Sequence, residues 1–130
     1  MLHGGDFTSI AFFRELEGTA PLHAVHGNVD EPALQALLPE RVVVDIEAAR
    51  IGIVHDAGPR IGRAERLVAA FPGCTAIVYG HSHLPEISQH AGVWILNPGS
   101  PTERRRAPFR SLLTLEVEEH RMVPQLVELP

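Results

Sequence analysis

The apolar residues of the chain alternate between helical and extended patterns. Three segments carry apolar residues at helical spacing and are flanked by capping or stop residues. Other apolar residues, many of them β-branched, form short runs bounded by glycine, proline or polar residues, as in strands. The predicted helices cover residues 8–16, 30–38 (with Asp30 as N-cap) and 62–71, and the predicted strands cover residues 1–3, 22–25, 42–46, 51–55, 75–79, 86–90, 93–96, 111–118 and 122–128.

The order of these elements indicates the fold class. Strand–loop–helix units favour parallel pairing between strands, whereas adjacent β-hairpins favour antiparallel edges. Two mixed sheets packed face to face, with helices outside, accommodate both patterns. A chain of 130 residues with 45% hydrophobic content is long enough for one core, so we expect a single domain over residues 1–130.

Charge and composition narrow the classes of partner. The formal net charge is −5 with eight histidines neutral, so no basic surface is expected to attract nucleic acid or an anionic membrane. No apolar stretch approaches the ~20 residues needed to span a bilayer, and the first residues do not resemble a signal peptide. The single cysteine, Cys74, fits a reducing compartment, and we expect a cytoplasmic protein.

Residues that can bind metals follow four of the predicted strands. Asp6, Asn28 and His55 each come at or just after one strand end, and His81 and His83 follow the strand at 75–79. The carboxyl ends of strands are where sites form in α/β sheets. Carboxylate, amide oxygen and imidazole suit Mn, Fe, Zn or Ni. Taken alone, the histidine pair in GHSH is equally consistent with polar loop surface, so the pattern as a whole carries the prediction.

Five motifs follow one another in the order and spacing found in the calcineurin-like metallophosphoesterases. They are HGGD at 3–6, GNVD at 27–30, His55 after an apolar strand, GHSH at 80–83 and NPGS at 97–100. The chain most resembles the small bacterial and archaeal branch of YfcE-like phosphodiesterases, from residue 2 to about residue 106. Each motif is short, but all five in order are specific.

This resemblance implies a four-layer α/β/β/α sandwich of two mixed β-sheets, with two divalent ions (Mn, Ni, Fe or Zn) at one end. By analogy Asp6 bridges both ions, Asn28, His55 and His81 complete the shell of one, and His83 binds the other. In such sites the ions lie about 3.5–4 Å apart. The implied reaction is hydrolysis of a phosphodiester, or of a monoester, by metal-activated hydroxide, with Asp6, Asn28, His55 and His81 as its catalytic residues.

The chain departs from the family pattern before Asp6. Family members begin with a strand ending in Asp-x-His, whose two residues bind the ion that His83 serves, and this chain has no such motif there. The resemblance therefore implies one fully liganded site and one incomplete site, with His3 and Asp56 as candidate replacements. Three explanations stay open: an N-terminally truncated chain that lacks the first strand and helix, a natural single-metal or inactive relative, and a second chain that fills the gap in a homodimer or higher oligomer.

Three further positions bear on the substrate. Position 29 is valine where many family members have a histidine that protonates the leaving group, so activated aryl phosphodiesters should be better substrates than alkyl phosphates. His26 is a candidate to stand in for that acid, with a plain loop histidine as the alternative. Arg104, in the basic run 104–106, is a candidate to contact the substrate phosphate, with a solvated run as the alternative.

Two classes of function are compatible with this pattern. The five intact ligands favour a metal-dependent phosphoesterase acting on a small phosphate-ester molecule. The missing ligands favour a catalytically weak or inactive binding scaffold with a partial metal site, as in the retromer subunit of the same fold. A purely structural single-metal site is a third alternative. We expect the enzyme, with manganese among its metals.

Overall fold

The computed structural model describes the whole chain except Thr8, Glu103, Arg104 and His120. Every predicted helix and strand is present among the described residues, with ends displaced by a few residues. In chain order the elements are β1 (Leu2–His3), α1 (Ile10–Glu17), β2 (His23–Ala24), α2 (Pro32–Leu37), β3 (Arg41–Ile46), β4 (Ala49–Val54), α3 (Arg63–Ala70), β5 (Ala76–Tyr79), β6 (Glu86–His90), β7 (Val93–Asn97), β8 (Arg110–Val117) and β9 (Met122–Leu129).

A five-stranded mixed sheet forms the centre of the fold, in the order β3-β4-β5-β7-β6. Strands β4, β5 and β7 are parallel, and the two edge strands β3 and β6 pair with them in antiparallel orientation. All four residues of β5 are buried, and so are five of the six residues of β4. Near-continuous apolar runs of this kind are typical of strands that are covered on both faces.

The second layer consists of two separate two-stranded sheets rather than one mixed sheet. Strands β1 and β2 form a parallel pair, and β8 and β9 form an antiparallel hairpin. Residues of both pairs pack on the same core cluster of the central sheet, among them Leu2, Leu113 and Leu115. Both pairs are therefore anchored to one face of the five-stranded sheet.

Helices cover the two outer faces. Phe13 of α1 and Leu34 of α2 pack with Ala24 of β2, while Leu67 of α3 joins a separate core cluster that includes Ile77 of β5. The result is a mixed α/β fold with helix, sheet, sheet and helix layers, which confirms the predicted fold class. No helix among the described residues is long and apolar enough to cross a membrane.

The N-terminal cap of α2 differs from the prediction. Glu31 is the N-cap residue and makes no side-chain cap hydrogen bond, and Pro32 is the first helical residue. Proline suits this position because it needs no partner for a backbone N–H. The predicted capping role of Asp30 is therefore wrong, and its carboxylate instead accepts hydrogen bonds from the backbone N–H groups of Asp6 and Gly27.

Candidate metal centre

The carboxyl ends of strands from both sheet layers meet at one end of the fold. Between β4 and β5 the parallel pairing continues past the strands, because the N–H of Gly80 donates to the carbonyl oxygen of His55 at 2.9 Å. From the other layer, Gly4 after β1 lies beside Gly80, since a Cβ atom at Gly4 would lie 3.5 Å from the backbone nitrogen of Gly80. The loops that carry the predicted ligands are therefore adjacent in space.

Four of the five predicted metal ligands lie together there. Ligand atoms of Asp6, His55 and His81 all lie within 4.8 Å of one another. The Oδ1 atom of Asn28 lies 2.9 Å from Nε2 of His55 and 3.3 Å from Nδ1 of His81. The Oδ2 atom of Asp6 lies 3.2 Å from the same Nε2. These four residues come from the loops or positions that follow β1, β2, β4 and β5.

The orientation of the His55 ring follows from one backbone contact. Its Nδ1 lies 2.6 Å from the carbonyl oxygen of Gly4. A carbonyl oxygen can only accept, so Nδ1 must carry the proton in this contact. In the neutral ring Nε2 then has a lone pair, and it is this atom that faces Asp6 and Asn28. Histidines that bind metals are commonly oriented by such a hydrogen bond from the other ring nitrogen.

The donor set fits a divalent metal ion. With the His55 ring neutral, its Nε2 lone pair faces the amide oxygen of Asn28 at 2.9 Å and a carboxylate oxygen of Asp6 at 3.2 Å, and such contacts between acceptors become favourable when a cation lies between them. Neighbouring ligand atoms around an ion with bonds of about 2.1 Å lie about 3 Å apart, close to these distances. Oxygen and imidazole ligands together suit Mn, Fe, Zn or Ni.

Three of the predicted ligands have left-handed backbone conformations. The φ angles are 62° at Asp6, 68° at His81 and 61° at His83. Such angles are uncommon outside glycine, and when they occur they cluster at functional sites, where the surrounding structure stabilises them. Their coincidence at three predicted ligands supports the position of the site independently of the side-chain distances.

Gly27 and Asp30 of the GNVD motif hold Asp6 in place. The carboxylate of Asp30 accepts from the N–H of Asp6 at 3.0 Å and from that of Gly27 at 2.6 Å, which ties the loops after β1 and β2 together. The N–H of Val29 donates to Oδ1 of Asp6 at 3.1 Å. A Cβ atom at Gly27 would overlap Oδ1 of Asp6 and lie 2.6 Å from its Cγ, so this close approach requires glycine.

The NPGS motif supports the loop that carries His81. The side-chain amide of Asn97 is fully buried and donates to the carbonyl oxygen of Gly80 at 3.3 Å and to Oγ of Ser82 at 3.1 Å. Its Oδ1 accepts from the N–H of Gly99 at 2.9 Å. Asn97 thus connects the GHSH and NPGS loops.

The structure does not place His83, His26 or Asp56 in the group of Asp6, His55 and His81. His83 is partly buried and lies outside the described group of Asp6, His55 and His81. Nδ1 of His26 is buried and has no hydrogen-bond partner among the described residues. Asp56 accepts from the N–H of Gly58, which is the turn role that its position also allows. Arg104 lies outside the described residues, so its predicted role stays a prediction.

His3 is also committed elsewhere. Its ring stacks on Phe7 with centroids 3.8 Å apart, and its Nδ1 accepts from the N–H of Gly5 at 3.1 Å. Burial lowers the pKa of His3 from 6.5 to about 4, although the nearby carboxylates of Asp30 and Asp6 oppose this shift. The folded protein therefore holds His3 in the neutral form that can accept the Gly5 hydrogen bond.

We expect acid to destabilise the protein through His3. Because the folded pKa is about 4 and the ordinary pKa of histidine is 6.5, the unfolded chain binds a proton in this window and the folded chain does not. The free energy of unfolding should fall as the pH drops from 6.5 towards 4, by about 3 kcal/mol if the full shift is realised. Urea unfolding of the wild type and of a His3→Gln variant at pH 7 and pH 4.5 measures this contribution.

The exposed His23 provides the matched control. A His23→Gln variant should keep the pH dependence of the wild type, while His3→Gln should flatten it. Equal pH dependence in all three proteins would contradict the role of His3.

The chain matches a known family over most of its length. Residues 1–120 match the calcineurin-like phosphoesterase superfamily domain. The chain belongs to this superfamily. A probable metallophosphoesterase of Methanocaldococcus jannaschii is 34% identical over 122 residues, which cover 92% of this chain and 61% of that protein. The chain thus spans less than two thirds of this relative. The sequence resemblance to calcineurin-like enzymes is confirmed.

Two solved structures share the fold at lower sequence identity. Vps29 of Entamoeba histolytica in complex with Zn²⁺ is 24% identical, with a TM-score of 0.75 over 98% of this chain and 80% of that one. An archaeal phosphodiesterase is 21% identical, with a TM-score of 0.74, and the similarity covers 97% of this chain and 81% of the phosphodiesterase chain. At these identities the similarity shows the fold alone.

Sequence reasoning missed two groups that position the ligands. The carbonyl oxygen of Gly4, which orients His55, is a backbone atom and leaves no residue-type signal. Asp30 did leave a signal, because it lies two residues after Asn28 within GNVD, but its position before an apolar segment also fits a helix cap. Only the contact with Asp6, 24 residues away in sequence, separates these two roles.

Proposed function

We propose that this chain provides the active site of a divalent-metal-dependent phosphoesterase that hydrolyses phosphodiesters, with monoesters as further substrates. The observation that carries the proposal is the contact of the His55 Nε2 lone pair with Asp6 Oδ2 at 3.2 Å and Asn28 Oδ1 at 2.9 Å. Three acceptors in contact around the buried His55 ring are unfavourable by themselves and become favourable around a cation.

Asp6, Asn28, His55 and His81 would hold the ion. When bound, a divalent ion would polarise the phosphoryl group and supply a hydroxide nucleophile from water near neutral pH. The protein fixes the donors: Gly4 keeps the His55 lone pair directed inward. The N–H of Val29 engages Oδ1 of Asp6, so Oδ2 is the oxygen that faces His55. Binding of a second ion by Asp6 and His83 is part of the proposal.

Three similarities support a hydrolase. The superfamily domain covers residues 1–120, and the relative from M. jannaschii is described as a probable metallophosphoesterase. A protein of the same fold is a phosphodiesterase.

The burial of Cys74, which raises the pKa of its thiol, is compatible with a structural thiol and with the cytoplasmic location that we also propose.

Metal content and hydrolysis together test this proposal. The chain would be loaded with manganese, desalted and analysed for metal per chain, and then assayed with bis(4-nitrophenyl) phosphate with and without EDTA. One or two equivalents with EDTA-sensitive hydrolysis are expected, and two would mean that the second site is filled. A chain without bound metal, or without hydrolysis when loaded, would overturn the enzyme proposal.

A binding scaffold with a partial metal site is the second candidate function. It is favoured by the similarity of the fold to Vps29 structures, one of which was solved with Zn²⁺. The same experiment separates the two candidates, because a scaffold would retain one ion and show no EDTA-sensitive hydrolysis.

The leaving group should decide the rate. The half-exposed side chain of Val29 has no proton to give, so an alkoxide leaving group would depart without a general acid at this position. A 4-nitrophenyl ester should be cleaved at least about 100-fold faster than the matching methyl ester, since a general acid contributes roughly 10²–10⁴-fold. Steady-state kcat values for the two esters give the ratio.

Two variants at position 29 isolate the proton donor. Val29→His should reduce the 4-nitrophenyl to methyl ratio, whereas Val29→Phe, an aromatic without a titratable proton, should keep it. If both variants keep the wild-type ratio of the two rates, the missing general acid is not what limits the hydrolysis of alkyl esters.

A further inference from the structure

We propose that Arg105 binds a non-bridging oxygen of the phosphoryl group at the metal centre. This inference rests on the proposed phosphoesterase function and assigns a substrate-binding residue to it. It assigns this role to Arg105 rather than to Arg104 of the same basic run, because Arg105 contacts the loop that carries His81.

The guanidinium of Arg105 is attached to the loop that carries His81. Its Nη1 donates to the carbonyl oxygen of His81 at 3.3 Å. The imidazole of the same residue lies in the ligand cluster, 3.2 Å from Nε2 of His55. Arg105 therefore places a positive charge against the backbone of a proposed metal ligand. Arginine carries five N–H donors in a planar fork that matches phosphate oxygens, and one donor engages His81.

The residues that flank the segment carrying Arg105 are bonded to the NPGS loop. Ala107 is buried at 2% exposure. The N–H of Ser111 donates to the carbonyl oxygen of Ser100 at 3.0 Å, and its Oγ donates to that of Pro98 at 2.8 Å. The segment therefore leaves and re-enters the fold beside the NPGS loop, which Asn97 connects to Gly80. Arg105 itself is exposed and has a left-handed φ of 48°.

The charge balance of the site gives this arginine a measurable role. Asp6 supplies one negative charge, so a divalent ion leaves a net charge of about +1 among the neutral ligands. Inorganic phosphate and phosphomonoesters carry up to two negative charges near neutral pH, whereas a diester carries one. Removal of the Arg105 charge should therefore weaken binding of phosphate and monoesters more than binding of diesters.

Calorimetric titration of the manganese-loaded chain with inorganic phosphate tests the inference, alongside KM and kcat for bis(4-nitrophenyl) phosphate. Arg105→Ala should weaken phosphate binding about tenfold, at the lower end of the range for a hydrogen bond to a charged group. KM for the diester should rise less than this. Arg105→Lys should restore part of the affinity, because it keeps the charge and loses the fork. Arg106→Ala, an exposed neighbour, is the matched control and should bind phosphate like the wild type.

The outcomes separate this inference from the proposed function. Normal manganese content with equal phosphate affinity in Arg105→Ala and Arg106→Ala would overturn the role of Arg105 and leave the phosphoesterase standing. A manganese-loaded wild type without measurable affinity for phosphate would also overturn it. A wild type that retains no manganese would overturn both. A tenfold loss in Arg105→Ala alone, with unchanged manganese content, supports the inference.

Discussion

An Asp6→Asn variant should lose its bound metal and its hydrolytic activity while it keeps the fold. Asparagine has almost the same size as aspartate, and its side-chain oxygen can still accept from the N–H of Val29. The backbone N–H at position 6 can still donate to Asp30. What is removed is the negative charge beside His55, in a side chain that is only 10% exposed. Affinity for manganese should fall by more than about 100-fold, since even outer-shell changes cost 10–100-fold.

The measurement is a manganese titration together with kcat/KM and a thermal unfolding curve. Asp56→Asn is the matched control. It removes the same charge from an exposed carboxylate that is next to His55 in sequence and accepts a hydrogen bond from the N–H of Gly58 in a turn. The control should keep metal affinity near that of the wild type. Should Asp6→Asn bind manganese within threefold of the wild type, Asp6 is not a ligand and the proposed site fails.

A Gly27→Ala variant should lose both stability and metal binding. The added methyl group would overlap the carboxylate of Asp6, and atoms of Asp6 have little room to move because Asp30 and Val29 hold them. To remove this overlap, the loop after β1 or the loop after β2 must be displaced. Overpacking of this kind costs about 1–3 kcal/mol, occasionally more, and here it also displaces a metal ligand.

Gly52→Ala separates the two effects. A Cβ at Gly52, in the middle of β4, would lie 2.5 Å from Cδ1 of Phe71 in the core beneath α3. This variant should be destabilised to a similar degree in chemical denaturation and still bind manganese like the wild type. If Gly27→Ala also retains wild-type manganese affinity once its lower stability is allowed for, the close approach of Gly27 to Asp6 is not needed for the site.

Three of the predicted ligands have left-handed backbone conformations that the surrounding loops must stabilise. Asp6, His81 and His83 each have a φ above 60°, which costs roughly 1–3 kcal/mol per residue. The loops around them are cross-linked by Asp30 on one side and by Asn97 on the other. These hydrogen bonds hold the predicted ligands close together, which would reduce the conformational entropy lost on metal binding.

Sequence alone predicted the elements and named the four residues that the structure brings together, which are Asp6, Asn28, His55 and His81. Strand and helix positions follow from the local pattern of apolar residues, because the repeat of a helix or strand determines which positions along the chain are buried. The fully buried strand β5 and the amphipathic helix α3 are the clearest cases. The family followed from the order of five short motifs, each readable from residue type and spacing.

Tertiary structure decided which atoms meet. The ring orientation of His55 depends on the carbonyl of Gly4, 51 residues away, and the role of Asp30 depends on Asp6, 24 residues away. The separation of the second layer into β1–β2 and β8–β9, and the contact of Arg105 with His81, are equally non-local. Local pattern cannot determine such contacts, because they arise only when strands distant in sequence pack side by side and bring their ends together.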